Sequence, residues 1–290
     1  MRILLVACVA AAMVITPAPA SAWGFDVHRF ILARAITLLP AEIRPYFQKY
    51  EAAVVEHSID PDLWRTVGWL EEPPRHFMDL DAYGPYPFKQ LPRAYDEAVA
   101  RYGKDFVDKN GTLPWRTEEI YAKLAEAFEQ RAPYARENIK FFSSVIGHYI
   151  GDAHVPFHAV INYDGQLTGQ WGIHARFETE LFARFKDRLQ IDPKPIVPVS
   201  SVRDFMFESL LASFPLVQSV LDADKAAVAG KEYYDDEYFA RFFAKVQPIL
   251  ERRLNDSITD VASVIAAAWV RAGRPTVPLA ETMPPRKVRR

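Results

Sequence analysis

Eight stretches of the chain carry apolar residues three and four positions apart, at about residues 26–38, 40–55, 115–130, 133–153, 172–188, 202–222, 235–254 and 256–272. That spacing gathers apolar side chains on one face of a helix, whereas a half-buried strand needs a period of two, and runs of that kind are nearly absent. Most of the 22 prolines fall between the stretches, in LEEPPRH, DPKPIVPVS and RPTVPLAETMPP. Proline has no amide hydrogen to continue a helical ladder, so these clusters mark boundaries. In the last stretch Asp256 or Ser257 is positioned to cap a helix and Gly273 to end it. The expectation is an all-α fold in a chain with no internal repeat and no low-complexity block.

Residues 1–22 read as an export signal peptide. Arg2 opens them, an apolar run covers residues 3–15, and Ala20, Ser21 and Ala22 supply the small residues of a cleavage site. The run is nearer a signal core than the ~18 to 20 residues needed to cross a bilayer, so no transmembrane anchor is expected after cleavage. Cleavage would leave Trp23 first in a domain covering residues 23–280 of a secreted or periplasmic protein. Residues 281–290, ending in PRKVRR, read as a disordered basic tail, with a weak polybasic contact to membrane or phosphate as the alternative.

Without the signal, 268 of the 290 residues remain, and the half-apolar composition is enough for a substantial core. The only cysteine, Cys8, lies in the signal, so the exported chain has no disulfide and any staple must be a metal. Loss of Arg2 takes 35 basic residues to 34 against 37 acidic, a balance that argues neither for nor against a nucleic-acid partner.

The chemistry lies in IGHYIGDAHVPFHAV and QWGIHARFETEL. His148 and Asp152 are four residues apart and share a helix face, where imidazole and carboxylate can meet one ion. Pro156 should kink or end that helix and turn His158 away from its straight-helix position. His174 and Glu178 repeat the four-residue spacing. One such pair arises often by chance, and a lone helical histidine is usually a surface or satisfied core group. Here four of the seven histidines fall within residues 148–178 together with Asp152 and Glu178, a ligand set for more than one metal. Nitrogen and oxygen donors without thiolates suit zinc, with manganese or iron as competitors.

On these residues the chain resembles, from Trp23 to about residue 190, the superfamily of bacterial zinc-dependent phospholipases C and fungal and plant single-strand-specific zinc nucleases. The resemblance implies one multi-helix domain with three zinc ions at the bottom of a cleft. It implies that Trp23, His28 and Asp152 hold one ion, that Asp62, His76, His148 and again Asp152 hold a second, and that His158, His174 and Glu178 hold a third. Trp23 would chelate through its α-amine and carbonyl. An α-amine titrates at about 7.7 to 8.0 and can yield its proton to a metal near neutrality, but only signal cleavage creates it. Asp62 is preferred to Asp60 because Arg65 follows it by three residues, as in the nuclease branch, where that arginine stabilises phosphate charge. Phe77 occupies the position at which the nucleases stack a base, although a core or cleft-wall phenylalanine is the plainer reading. His57 and His154 match no ligand position and read as surface or supporting groups.

A site of this kind hydrolyses phosphoesters. Two zincs about 3.5 to 4 Å apart would lower the pKa of a bridging water and the third would polarise a phosphoryl oxygen. Asp62 is the candidate to accept the water's proton, and Arg65 to contact the phosphoryl group. Glu178 as the last ligand and the sixteen-residue step from His158 to His174 look like the phospholipase branch. The five-residue step from Trp23 to His28, and Arg65, look like the nuclease branch. Phospholipid is the first expected substrate and single-stranded nucleic acid or nucleotides the second. A zinc-binding helical protein without turnover is the third possibility, and no stable protein partner is evident.

Overall fold

The computed structural model describes residues 24–131, 134–277 and 279, and every regular element among them is helical. The expected signal segment at residues 1–22, Trp23 and the expected basic tail at 281–290 lie outside the described residues. The N-terminal run comprises α1 (Phe25–Leu38), α2 (Arg44–Lys49), α3 (Glu51–Glu56) and α4 (Asp60–Thr66). Two short helices follow, α5 (Tyr95–Tyr102) and α6 (Lys104–Lys109), and then the long pair α7 (Leu113–Phe128) and α8 (Ala135–Ala153). The remainder is α9 (Ile173–Ala175), α10 (Leu181–Phe185), α11 (Val202–Ser213), α12 (Leu216–Val228) and α13 (Asp236–Arg271).

The periodic stretches become helices, with boundaries moved by local chemistry. The stretch at 40–55 is interrupted at Tyr50, and that at 202–222 at Pro215, which opens α12. The stretch at 172–188 is one helical run whose middle, Arg176–Glu180, is wound as a wider π turn. The final two stretches form the single helix α13, so Asp256 and Ser257 are not caps: the Ser257 hydroxyl donates to the Leu254 carbonyl within the helix (3.1 Å). The N-cap is Asp235, whose carboxylate accepts from the Tyr238 amide (2.8 Å). Pro248 is tolerated inside α13 because it and Ala244 lie on the exposed side, where the carbonyl that loses its amide partner can turn to water. Gly273 does follow the helix end, at φ +86°, a conformation costly for residues with a Cβ.

Helix α8 lies at the centre and packs against α1, α3, α7, α11 and α13. Its residues from Ser143 to Ala153 are all buried, so it is apolar or small on every side except where His148 and Asp152 meet. Gly147 sets the approach of α1: a Cβ there would sit 3.1 Å from the Leu32 side chain. His28, one turn before Leu32, is thereby stacked on His148, with ring centroids 3.8 Å apart. The α1–α8 contact thus both fills the core and positions two imidazoles. Gly147→Val should therefore destabilise the protein by about 1–3 kcal/mol in chemical denaturation, through overpacking, and should also weaken metal uptake. Unchanged stability would show that α1 can shift freely.

Candidate metal centre

Four segments converge on Asp152, which is fully buried. On its own helix, His148 Nε2 lies 3.3 Å from Asp152 Oδ2. His28 of α1 brings Nε2 to 3.5 Å from Oδ1, and His76 brings Nδ1 to 3.0 Å from Oδ2. The remaining approach comes from beyond the end of α8. That helix stops at Ala153, Val155 is extended as a residue before proline prefers, and Pro156–Ala159 forms a 3-10 turn. The turn places His158 Nδ1 at 3.9 Å from Asp152 Oδ1, the redirection expected of Pro156.

The imidazoles are aimed by backbone. His148 Nδ1 donates to the Ser58 carbonyl (2.8 Å), which leaves its Nε2 facing the centre. His158 Nδ1 donates to the His76 carbonyl (2.6 Å), and the Met78 amide returns a bond to the His158 carbonyl (2.9 Å). The segments carrying His76 and His158 are therefore tied directly together. Fixing one ring nitrogen in this way determines which nitrogen is offered to a metal.

Three buried groups each present ligand atoms within 4.8 Å of one another: His28, His148 and Asp152; Asp62, His76 and His148; and His158, His174 and Glu178. In this geometry His148 is common to the first two groups, and Asp152 Oδ2 also faces His76. Asp62 is 1 % exposed and belongs to the second group, whereas Asp60 turns outward to His57 (2.9 Å). Arg65 Nη2 lies 3.2 Å from Asp62 Oδ1. Phe77 is half-buried, and its ring lies so close to Gly111 that a Cβ there would come within 2.7 Å of it. His57 is a surface residue, but His154 is not: it is buried between the Ile150 carbonyl (2.8 Å) and the Asp260 carboxylate (2.9 Å). Gly24, which follows Trp23 in sequence, lies against Thr179, since a Cβ on it would meet that side chain at 2.8 Å.

The donor atoms fit metal ions better than they fit each other. Both ring nitrogens of His28 and of His174, both oxygens of Glu178, and Asp152 Oδ1 are buried without a hydrogen-bond partner. His174 Nε2 and Glu178 Oε2 are only 3.0 Å apart and still lack hydrogen-bond geometry, the arrangement of two donors directed at a third point. Buried polar groups left unpaired are expensive, and a cation shared among them removes that cost. The all-nitrogen and oxygen donor set, lacking thiolates, suits zinc.

Burial holds three of the imidazoles neutral, the state a metal requires: His28 is well below its ordinary value, His158 is lowered to about 3 and His174 to about 4. Burial opposes ionisation of Asp152, but His148 and His158 outweigh it and hold the carboxyl well below its ordinary range. For Glu178 burial prevails, reinforced by the charges of Asp152 and Asp62, and its carboxyl is pushed well up. Burial would lower His76, yet the hydrogen bond to Asp152 and the nearby Glu72 carboxylate raise it to about 9.

Glu72 is the supporting residue that sequence reading missed. It is fully buried, Oε1 is 3.6 Å from His76 Nε2, Oε2 accepts from Arg75 (2.8 Å), and the Tyr149 hydroxyl donates to it. Burial works against its ionisation, but these partners hold its carboxyl down at about 2. Its spacing to His76 is again four residues; Pro73 and Pro74 between them hide the relation by suggesting a loop.

A family model described as zinc dependent phospholipase C matches residues 27–220, a span that includes every described residue of the three groups. Among curated proteins no match is found.

Zinc uptake should release protons, because the raised groups Glu178 and His76 hold protons that an ion must displace. Zinc affinity should therefore rise with pH up to about 9, the value to which His76 is raised. In the metal-free protein the sign is opposite for stability. A carboxyl raised on folding, like Glu178, contributes stability that is fully present below its unfolded value near 4.5 and lost as pH rises through the folded one. Calorimetric titration in buffers of different ionisation enthalpy measures the proton release, and a buffer-independent enthalpy would contradict it.

Proposed function

The chain belongs to the zinc-dependent phospholipase C family, and we propose that it is a secreted or periplasmic phosphodiester hydrolase whose substrate is phospholipid. The observation that carries this reading is the adjacency of three buried donor groups around one carboxylate, with an arginine beside them. The proposed ligands are Trp23, His28 and Asp152 for one zinc, Asp62, His76, His148 and Asp152 for a second, and His158, His174 and Glu178 for a third. Trp23 takes part through the amine freed by cleavage after Ala22. When bound, zinc supplies Lewis acidity and makes water a competent nucleophile at neutral pH.

The side chains divide the remaining work. Asp62 lies between His76 Nδ1 (3.9 Å) and Arg65 Nη2 (3.2 Å), a position from which it can accept the proton of an attacking water. Arg65 Nη2 lies beside Asp62 (3.2 Å), and its charge also bears on His174 and Glu178, so a phosphoryl group bound at the centre would meet a cation next to the ligands. Neutral His158 and His174 offer lone pairs rather than protons. The Arg65–Asp62 pair equally favours a second reading, a single-strand nuclease or 3′-nucleotidase using the same centre, with Phe77 as the base platform.

One zinc-loaded preparation assayed on phosphatidylcholine, single-stranded DNA and 3′-nucleotides separates the readings. Higher turnover is expected on the lipid. Arg65→Ala should lower turnover by about 10²–10³ on whichever ester is cleaved, since it acts on the phosphoryl group common to all. Phe77→Ala should impair only the nucleic-acid reaction, where stacking contributes about 1–3 kcal/mol per base. DNA turnover far above lipid turnover, with a strong Phe77 effect, would establish the nuclease reading instead.

Elemental analysis should find close to three zincs per exported chain. His158→Ala should remove one of them, and Asp152→Asn more than one. A residue left in front of Trp23 should preserve folding and abolish activity, because an amide nitrogen does not coordinate as a free amine does. One metal or none would reject the trinuclear centre, and full activity in the extended protein would reject the role of Trp23.

A further inference from the structure

The loop at residues 161–172 is inverted in polarity. Its polar side chains Asn162 and Gln170 are 7 % and 6 % exposed, whereas Leu167 and Trp171 are 69 % and 62 % exposed, and Ile161 and Tyr163 also face outward. The inversion is built in by the loop's own bonds. Asn162 Oδ1 accepts from the Leu167 amide (2.8 Å), and Gln170 Nε2 donates to the Leu221 carbonyl (2.8 Å) and the Asp224 carboxylate (2.6 Å). Arg176 donates to the Trp171 carbonyl (2.7 Å), and Gly165, at φ +73°, leaves no room for a Cβ against the Gln170 backbone. With these polar groups bonded inward, the loop holds its apolar groups in water at a fixed place.

A second apolar edge stands at the end of α4, where Val67, Trp69 and Leu70 are 72 %, 56 % and 88 % exposed and Trp69 stacks on Trp64 (5.5 Å between ring centroids). Both edges border the donor groups: the loop is tied to His174 of the third group through Asp164 (3.4 Å), and α4 carries Asp62 of the second group with Arg65 beside it (3.2 Å). The apolar tips carry no cation, and the one charged neighbour of Leu70, Glu71, is acidic and exposed. The one acidic residue of the loop, Asp164, is half-buried and accepts from the His174 amide (3.4 Å), and Arg65 faces Asp62.

We propose that these two edges form a docking rim for a neutral, zwitterionic phospholipid surface, seating the metal centre over the headgroups. The proposal rests on the phospholipid reading given above. Apolar and aromatic side chains fixed in water around a site are stabilised by transfer into a membrane interface, where tryptophan and tyrosine are favoured. A single-stranded nucleic acid fits less well: Trp69, Trp171 and Tyr163 could stack bases, but its phosphates need cations that the tips lack, and Leu70, Leu167, Val67 and Ile161 offer bases no face. Tips without cations, one of them beside the acidic Glu71, also imply adsorption by burial of apolar area rather than by attraction to anionic lipid.

The test uses the zinc-loaded protein and the double variant Leu70→Asp/Leu167→Asp, with Leu70→Phe/Leu167→Phe as the conservative control. Cosedimentation with phosphatidylcholine vesicles measures docking, and hydrolysis of a short-chain phosphatidylcholine below its micellar concentration measures the centre alone. The wild-type protein should bind vesicles with little change between about 0.1 M and about 1 M salt. The aspartate variant should bind at least about tenfold more weakly, and the phenylalanine variant should retain binding. All three should hydrolyse the dispersed monomer equally. Equal vesicle binding by the aspartate variant, or salt-sensitive binding to single-stranded DNA that this variant loses, would overturn the rim while leaving the phospholipase reading intact. Failure of the wild type to hydrolyse the monomer would instead reject the phospholipase reading on which the rim rests.

Discussion

An ionised carboxylate removed from water costs several kcal/mol unless charge or hydrogen bonds compensate it, and Asp152 is fully buried at the convergence of four chain segments. His28, His76, His148 and His158 surround it at 3.0–3.9 Å, each from a different direction. No pair of them satisfies the others completely, since several of their donor atoms lack hydrogen-bond partners. Most of the remaining structure can be understood as holding this constellation open against the tendency of polar groups to pair among themselves or reach water.

That task falls first to packing. Gly147 lets α1 come close enough to α8 for His28 to stack on His148, and the apolar sides of α8 are covered by α1, α7, α11 and α13. It falls next to the backbone. Ser58 offers its carbonyl to His148, and the His76 and His158 segments exchange bonds, so the ring nitrogens that face the centre are selected by main chain that cannot turn away. Glu72 completes the orientation of His76 from the far side of its ring, with Tyr149 and Arg75 holding the carboxylate in turn. A family of zinc-dependent phospholipases C is one in which such rigidity serves a purpose: donors fixed before the ion arrives lose little entropy on binding it.

The surroundings of the third group combine the same economy with a different outcome. Arg176 lies in the π turn between His174 and Glu178 and is bonded to Asp224, Tyr238 and the carbonyls of Gln170 and Trp171. The network that shapes the helical turn carrying two donors therefore also fixes the loop whose apolar side chains face outward. The third donor group and this loop are mechanically one unit.

The sequence by itself determined what can be decided within a few turns of chain. Apolar spacing specified helices, four-residue steps paired His148 with Asp152 and His174 with Glu178, and Pro156 required a change of direction before His158. Three kinds of feature needed the tertiary structure. Whether Pro248 breaks α13 depends on which side of the helix it occupies, and it occupies the exposed one. Whether a histidine is a surface group or a buried one depends on a distant partner: His154 meets Asp260, far along the chain, while His57 meets only its near neighbour Asp60. Which side of residues 161–172 faces water depends on Asp224 and Arg176 taking the polar groups inward. Local steps are set by covalent geometry and hydrogen bonding along the helix, so they can be read in order. Inside and outside are set by which distant segments arrive to share a buried charge, and that is decided only when the chain closes around Asp152.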